Sequence, residues 1–491
     1  MRCMIKSLRV SIIFSLLWLT LQQVGVAQQS SAPQRLDELR RLRDQLALNQ
    51  GLRNADVLAV LSEHAFREAA RQLVGLEIVL SNGGTIRVTS VETELRTAAA
   101  IVKIGLQAKS SVTVNLQLLG RINSGELEKD ALRLPVQVTE VKLANGLFSS
   151  VLIKTLFGAW LKPETWNDEL PAIELPLEIS ESLKIPASRF ETSGEMPIEI
   201  STPAFDAPLK FALTSFWILN KRAVLALELA HEVANVTQTS TASVNHNDPV
   251  ALENEIERLC QHLNNNGDLR IRVGRRVISQ MLAQIAQSQT TDFDIRLKQG
   301  RLRTEEVTAI VKVTNYTDVE GGQGRADLTE LSVNRIFDNK IDLKLSGQGE
   351  LDAQLRGREY GIPYRLSPHV TFAIKDQLVP LQFANDDKGV FLRAVPGATF
   401  PINLRISTSV AGRNLGINRT VTVQADRWLD RVDLPSFFGR EIPMPRRMEI
   451  DAGGNLYITE RQRLLYTMNN LRLKASEDAL DIVADVKLSL P

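Results

Sequence analysis

The chain has 491 residues, of which 44% are hydrophobic and 23% are charged, and its 58 lysines and arginines nearly balance 57 aspartates and glutamates. This composition is typical of a folded globular protein and excludes long disordered, collagen-like and disulfide-scaffold chains. The near-neutral charge argues against a nucleic-acid-binding protein, which normally carries a basic patch or stripe. At ~150 residues per domain, the length is that of about three domains.

The first 27 residues have the pattern of a secretory signal peptide. Arg2, Lys6 and Arg9 precede an apolar run at 10–21, and the segment ends with small residues before and at Ala27. The apolar run is short for a membrane span of about 20 residues, so we expect cleavage after Ala27 rather than a retained anchor. The mature chain is therefore expected to be exported, to the periplasm or the extracellular space.

Matching segments in the two halves indicate an internal duplication. The spacing of apolar residues predicts one helix over 61–73 and another over 273–285, with their apolar positions 212 residues apart. Strand patterns follow at 76–80 and 293–297, and further matches keep the same order to the end of each half. A collinear series of this length is hard to obtain by accident.

The boundary between the two units lies in a polar segment rich in Ser, Thr and Asn. Asp248, as an N-cap before Pro249, then begins a new amphipathic helix. A comparable segment from Leu36 to Leu46 precedes the first unit. We therefore divide the chain into a signal peptide at 1–27, a first helix-plus-curved-sheet unit at 28–235, a linker at 236–249 and a second, β-richer unit at 250–491.

Most of the remaining sequence alternates between apolar and polar residues, as antiparallel strands with one buried face do. The segments 112–118, 132–139 and 341–346 show this pattern most clearly. One long helix is predicted at 147–161. The segment 321–324, Gly-Gly-Gln-Gly, lacks the residues that complete a phosphate loop, and we interpret it as a flexible hairpin tip.

The ratio of helices to strands decides the predicted fold class. A sheet with one apolar face must close into a barrel, pack on a second sheet or be covered by helices. Each unit offers one to three helices for six or more strands, which a strongly curved sheet around a helix would satisfy. We therefore predict an α+β protein with two tandem units of long, curved antiparallel sheet wrapped around helix.

The two helix-to-strand passages, at 61–91 and 273–307, together with paired Leu-Pro and Ile-Pro segments, resemble the tubular lipid-binding superfamily. That superfamily includes bactericidal/permeability-increasing protein and its relatives. The likeness extends over roughly residues 36–491, although the superfamily has no invariant chemical motif and this chain lacks the disulfide of some relatives. The resemblance implies binding of acyl chains or other elongated apolar ligands between sheet and helix.

The sequence contains no catalytic signature. His231-Glu232 is not followed by the second histidine that a helical zinc site needs, and no serine lies in a G-x-S-x-G elbow. Cys260 lies beside Leu259 on an amphipathic helix, which favours a buried structural thiol. Arg440, Arg446 and Arg447 form a basic cluster, for which a solvated loop is favoured over contact with acidic headgroups. We expect no enzymatic activity, no metal and no cofactor.

Two functions remain open. The first is an exported soluble binder or carrier of a lipid or hydrophobic small molecule, which contacts membrane surfaces transiently and does not bind nucleic acid. The alternative is a structural or interaction protein of the cell envelope built from repeated β-rich modules, and a hydrolase is a third class. For each residue expected to line a cavity, the competing interpretation is that it fills a dry core. The candidate ligand-binding residues are Phe66, Ala69, Leu73, Val151, Leu152, Trp160, Ile278, Met281 and Ile285.

Overall fold

A computed structural model defines the fold of most of the chain. It describes residues 32–48, 52, 55–79, 83–109, 113–123, 126–127, 131–134, 136–143, 162–164, 173–176, 178–185, 187–192, 197–229, 248–264, 266–287, 293–307, 312–359, 362–386, 389–410, 413–433, 441–450 and 456–489.

The described part of the protein is mostly β, with 69% of residues in strands and 17% in helices, so the predicted α+β class is wrong. Length explains why a helix cannot serve as the axis of such a sheet. The longest strand has 26 residues and spans ~85 Å at 3.3 Å per residue. The two helices on the inner face have 9 and 13 residues, or roughly 14 and 20 Å. They lie against the sheet and are not wrapped by it.

In the described part of the chain, the helices with defined bounds lie at the start of each half, apart from one short helix near the end. They are α1 (Ala32–Leu48), α2 (Glu63–Arg71), α3 (Pro249–Leu259), α4 (Arg275–Gln287) and α5 (Ala425–Trp428), with a 3₁₀ turn at Gln261–Leu263.

The strands of the first half are β1 (Val57–Ser62), β2 (Glu77–Val79), β3 (Thr85–Arg96), β4 (Ala99–Lys109), β5 (Thr113–Asn123), β6 (Glu126–Leu127), β7 (Ala131–Leu134), β8 (Val136–Leu143), β9 (Ile173–Pro176), β10 (Glu178–Ile185), β11 (Ser188–Glu191), β12 (Ile198–Thr202), β13 (Phe205–Leu219) and β14 (Arg222–Leu229). Those of the second half are β15 (Leu269–Gly274), β16 (Phe293–Leu297), β17 (Gly300–Val307), β18 (Lys312–Phe337), β19 (Lys340–Glu359), β20 (Ile362–Leu366), β21 (His369–Asp386), β22 (Gly389–Ala394), β23 (Thr399–Val410), β24 (Arg413–Gln424), β25 (Val432–Asp433), β26 (Glu441–Ile450), β27 (Leu456–Ala475) and β28 (Ala479–Ser489).

The two halves meet in a central sheet with the strand order β14-β1-β15-β28. β1 pairs antiparallel with β15, and Ala59 lies opposite Ile271, the residue 212 positions later in the chain. β14 pairs with the other edge of β1, and β28 pairs with the other edge of β15. The sheet is therefore locally two-fold symmetric about the pair Ala59–Ile271.

Backbone hydrogen bonds across the centre follow the same local symmetry. Ser62 N donates to Asp268 O over 2.8 Å, and Gly274 N donates to Asp56 O over 2.7 Å. Gly274 lies 212 positions after Ser62, and Asp268 lies 212 positions after Asp56, so the second bond joins the counterparts of the residues in the first. These reciprocal bonds therefore follow the same two-fold relation as the register of β1 and β15.

Strand pairing also connects the halves outside the central sheet. β2 begins a meander that continues through β3, β4, β5 and β8, and β2 pairs in parallel with β26 of the second half. β16 begins a longer meander through β18, β19, β21, β23 and β24, and it pairs with β12 of the first half. Each meander thus starts beside a strand of the other half.

The two faces of the central sheet are covered differently. On the outer face, Leu58 and Val60 pack with Val224 and Ala226 under α1 and α3. The positions that correspond to Leu58 and Val60 in β15 are Arg270 and Arg272, and this part of the face is only partly buried. The inner face is apolar in both halves and packs against α2 and α4.

Several predicted elements differ from the structure at their edges. The predicted helices at 61–73 and 273–285 begin two residues later, because the first two residues of each complete a central strand. Residues 321–324 lie in the middle of β18, so they do not form a hairpin tip. The predicted helix at 147–161 lies outside the described residues, as does almost all of the predicted linker.

Candidate functional site

The largest apolar feature of the structure is the inner face of the sheet together with the helices on it. We call these residues the interior cluster. It is continuous from the first meander through the central sheet to the second meander, and nearly all of its side chains are aliphatic. Its members on α2 and α4 are Ala65, Phe66, Ala69, Ala70, Val277, Ile278, Met281 and Leu282.

The structure brings together the predicted ligand-binding residues that it describes. Phe66, Ala69, Leu73, Ile278 and Met281 all belong to the interior cluster, and none is more than 4% exposed. Both helices therefore contribute to one apolar interior. Of the remaining predicted residues, Val151, Leu152 and Trp160 lie outside the described residues, and Ile285 lies in α4 with a side chain outside the described part.

Local interactions fix the start of α2. The Ser62 hydroxyl accepts a hydrogen bond from Ala65 N over 3.1 Å, as an N-cap does. Glu63, the first helical residue, accepts a hydrogen bond from Leu95 N over 3.0 Å and so ties the helix to β3 of the first meander. Glu63 also pairs with Arg67 over 2.5 Å on the outer side of the helix. These contacts orient Phe66 and Ala69 toward the interior.

The start of α4 is held in the equivalent way. Arg275, 212 positions after Glu63, donates from Nη2 to the backbone oxygens of Val333 and Asn334 over 3.3 and 3.0 Å. These oxygens belong to β18 of the second meander. The first residue of each inner helix therefore anchors the strand that lies over it, by a carboxylate in one half and a guanidinium in the other.

Two aspartates lie at the corresponding positions before β1 and β15. The Asp268 carboxylate accepts hydrogen bonds from the Ser62 hydroxyl over 3.0 Å and from Val486 N over 3.1 Å, and lies 2.9 Å from His64 Nδ1. Asp56, only 4% exposed, accepts a hydrogen bond from Leu229 N over 2.9 Å. Each carboxylate thus binds a backbone amide of the last described strand of its own half, β14 for Asp56 and β28 for Asp268.

The outer layer is locked by ion pairs and by a buried thiol. Arg35 of α1 pairs with Glu253 of α3 over 2.7 Å, and Arg222 of β14 pairs with Glu257 over 2.8 Å. Cys260, which directly follows the last residue of α3, is fully buried, and this confirms its predicted burial. Burial raises the pKa of this thiol to about 12, because the surroundings disfavour the thiolate.

Sequence reasoning missed the part of the apolar face that water reaches. On β27 and β28 several inward side chains pack against the interior cluster but are only half-buried. The alternation in β27 is hidden in the sequence because a bulge between Asn469 and Arg472 changes its phase. We call these residues the half-buried row: Met468, Leu471, Leu473, Val486 and Leu488.

Two arginines of the predicted basic cluster lie on β26 with acidic neighbours. Arg446 lies 3.5 Å from Glu460, and Arg447 lies 3.9 Å from Glu449. Arg440 lies outside the described residues. The described arginines are therefore part of a strand with mixed charge, whereas the sequence predicted a loop.

The described residues contain neither a candidate metal cluster nor a candidate membrane-spanning helix. Within them, no group of three or more His, Cys, Asp and Glu side chains could hold a metal ion. Among the same residues, no helix is both long enough and apolar enough to cross a bilayer.

Comparisons with known proteins add little to this description. No family model matches the chain, and no curated protein matches it. Among solved structures, the chain is similar to a crystal structure of lipopolysaccharide binding protein, with 10% sequence identity over 88% of this chain and 99% of that chain. The TM-score of this superposition is 0.24, which is too low for any conclusion about this protein.

Proposed function

We propose that this protein binds a lipid or another elongated hydrophobic ligand along the interior cluster and carries it without chemical change. The observation that supports the proposal is the continuity of one aliphatic surface from the fully buried faces of α2 and α4 to the half-buried row. A ligand lying along this surface would replace water at the half-buried row. The signal-peptide pattern supports action outside the cytoplasm.

Burial of an alkyl chain provides enough free energy for such binding. Each CH₂ group removed from water contributes about 0.8 kcal/mol, so a chain of about 14 carbons contributes on the order of 10 kcal/mol before ordering costs. This affinity needs no charged side chain at the site. An interior lined by aliphatic residues is therefore sufficient for a carrier of apolar chains.

The experiment that tests the proposal is lipid analysis of the purified protein. Native mass spectrometry and solvent extraction are expected to detect acyl-chain compounds in near-stoichiometric amounts. Delipidated protein is expected to take up a fluorescent long-chain fatty acid. A clean apo mass together with no uptake of the fatty acid would refute the proposal.

A matched pair of variants locates the binding surface. Met468→Glu places a carboxylate in the half-buried row, where contact with an alkyl chain makes a charge costly, so affinity for the fatty acid is expected to fall at least about tenfold. Thr467→Glu adds the same charge on the exposed face of the same strand and is expected to bind normally. Equal affinities of the two variants would show that the ligand lies elsewhere.

A further inference from the structure

A very short ladder joins the first meander to the second half. Within the described residues, β2 and β26 share three residue pairs, Glu77–Arg447, Ile78–Met448 and Val79–Glu449, and they run parallel. On either side lie antiparallel ladders, with three described pairs between β2 and β3 and nine between β26 and β27. Parallel pairing is slightly less stable per residue than antiparallel pairing. We call this ladder the β2–β26 seam, and it is the weakest of these three connections.

Apolar side chains cross the inner side of the seam without interruption. Ile78 lies opposite both Ile86 of β3 and Met448 of β26, and Met448 lies opposite Ile458 of β27. Ile86 and Met448 are buried in the interior cluster, whereas Ile78 and Ile458 are half-buried and pack against it. Opening the seam would therefore expose a path that is apolar from the surface to the interior.

Charges of opposite sign face each other on the outer side of the seam. Glu77 lies across from Arg447 on one side and from Arg87 on the other. Arg87 and Arg447 are exposed, so water and salt weaken their attraction to Glu77. The seam is thus held by a few backbone hydrogen bonds and by charges that solvent screens.

We propose that the β2–β26 seam is the port through which a single-chain amphiphile enters the interior cluster with its tail first. This inference rests on the proposed function and adds the route and the ligand class. Three residue pairs occupy ~10 Å along the strands, which suits one alkyl chain better than a bulky fused-ring lipid. The polar head stays outside, because an unpaired charge is costly in an apolar interior.

Reversible locking of the seam tests this route. In a Cys3→Ser background, Glu77→Cys with Arg447→Cys places two thiols on facing residues, whose spacing in a ladder allows a disulfide. The buried Cys260 does not compete, because its raised pKa keeps it protonated. Oxidation is expected to slow uptake of a fluorescent long-chain fatty acid at least about tenfold, and reduction is expected to restore it.

A second disulfide serves as the matched control. Glu92→Cys with Lys103→Cys locks facing residues of β3 and β4, a ladder that the proposal keeps closed, so oxidation there is expected to leave uptake unchanged. Unchanged uptake by the oxidised seam variant would overturn the port but leave the proposed function intact. Absence of uptake by the reduced protein would instead refute the proposed function, and the port with it.

A charge reversal tests the seam without a disulfide. Arg447→Glu places a carboxylate opposite Glu77, so repulsion is expected to favour opening and to speed uptake. Arg461→Glu makes the same change at an exposed position of β27 that faces Pro445, and it is expected to leave the rate unchanged. Both variants are first checked for wild-type circular dichroism. Equal rates for the two folded variants would count against the port.

Discussion

Burial determines the chemistry of Cys260. Because its pKa is raised to about 12, almost none of the thiol is ionised at pH 8, and the thiolate is the reactive form. We expect the folded protein in a Cys3→Ser background to show no reaction with a thiol reagent at pH 8 and one reactive thiol after denaturation. Quantification with a chromogenic disulfide reagent, with and without guanidinium, measures both. Rapid reaction in the folded state would contradict the buried position of this side chain.

Single residues show how far sequence reasoning extends. The burial of Cys260 was predictable because helical periodicity places it beside Leu259 on an apolar face. The glycines at 321–324 were wrongly predicted to form a hairpin tip. A side chain at Gly324 would collide with the backbone of Glu350 and Leu351 on the neighbouring strand. This glycine permits close strand packing, and a local sequence pattern cannot distinguish that requirement from flexibility.

Asp268 joins several elements at one point. Its carboxylate accepts bonds from the cap residue of α2 and from the backbone of β28, so Asp268→Asn removes one charged acceptor from a largely buried site. The free energy of unfolding is expected to fall by about 1–3 kcal/mol. Urea denaturation followed by circular dichroism measures the change. Asp294→Asn, at an exposed position of β16, is the control and is expected to change stability little. An equal loss in both variants would contradict the linking role of Asp268.

The elements themselves were predicted better than their boundaries. Asp248 caps α3 with Pro249 at its start, as the sequence predicts, because its side chain accepts a hydrogen bond from Val250 N over 3.0 Å. α2 and α4 begin later than predicted, because the apolar residues before them also face the interior cluster from a strand. Helical and strand periodicity coincide over such a short stretch. The half-buried row escaped prediction because a bulge shifts the alternation in β27.

The connections between halves predict how the whole protein unfolds. β1 pairs with β15, β2 with β26 and β12 with β16, so each half completes a sheet of the other. A fragment of residues 28–235 would leave these edges unpaired and expose part of the interior cluster. We expect this fragment to lack cooperative unfolding alone and to regain β structure when mixed with residues 250–491. Circular dichroism and limited proteolysis measure both. Cooperative unfolding of the isolated fragment would show that the two units are independent.

Overall architecture was the least predictable level. The sequence indicates the repeated strand-to-helix passage, because both copies keep the same apolar spacing. It does not indicate that β18 continues for 26 residues, since its bulges and glycines resemble turns. The predicted fold class was wrong for this reason. When long strands are taken as several short ones, the share of the fold assigned to helices becomes too large.

Arg270 and Arg272 make the two halves of the outer face of the central sheet differ in polarity. The central strands are nearly interchangeable on their inner face, but on the outer face α1 and α3 both pack on the side of Leu58 and Val60. Arg270 instead pairs with Asp481 over 3.0 Å and keeps the opposite side polar. A two-fold rotation that exchanges β1 and β15 would therefore place the apolar faces of α1 and α3 against Arg270 and Arg272. Any surface that approaches this face meets one side that is apolar and covered by helices and one side that is polar.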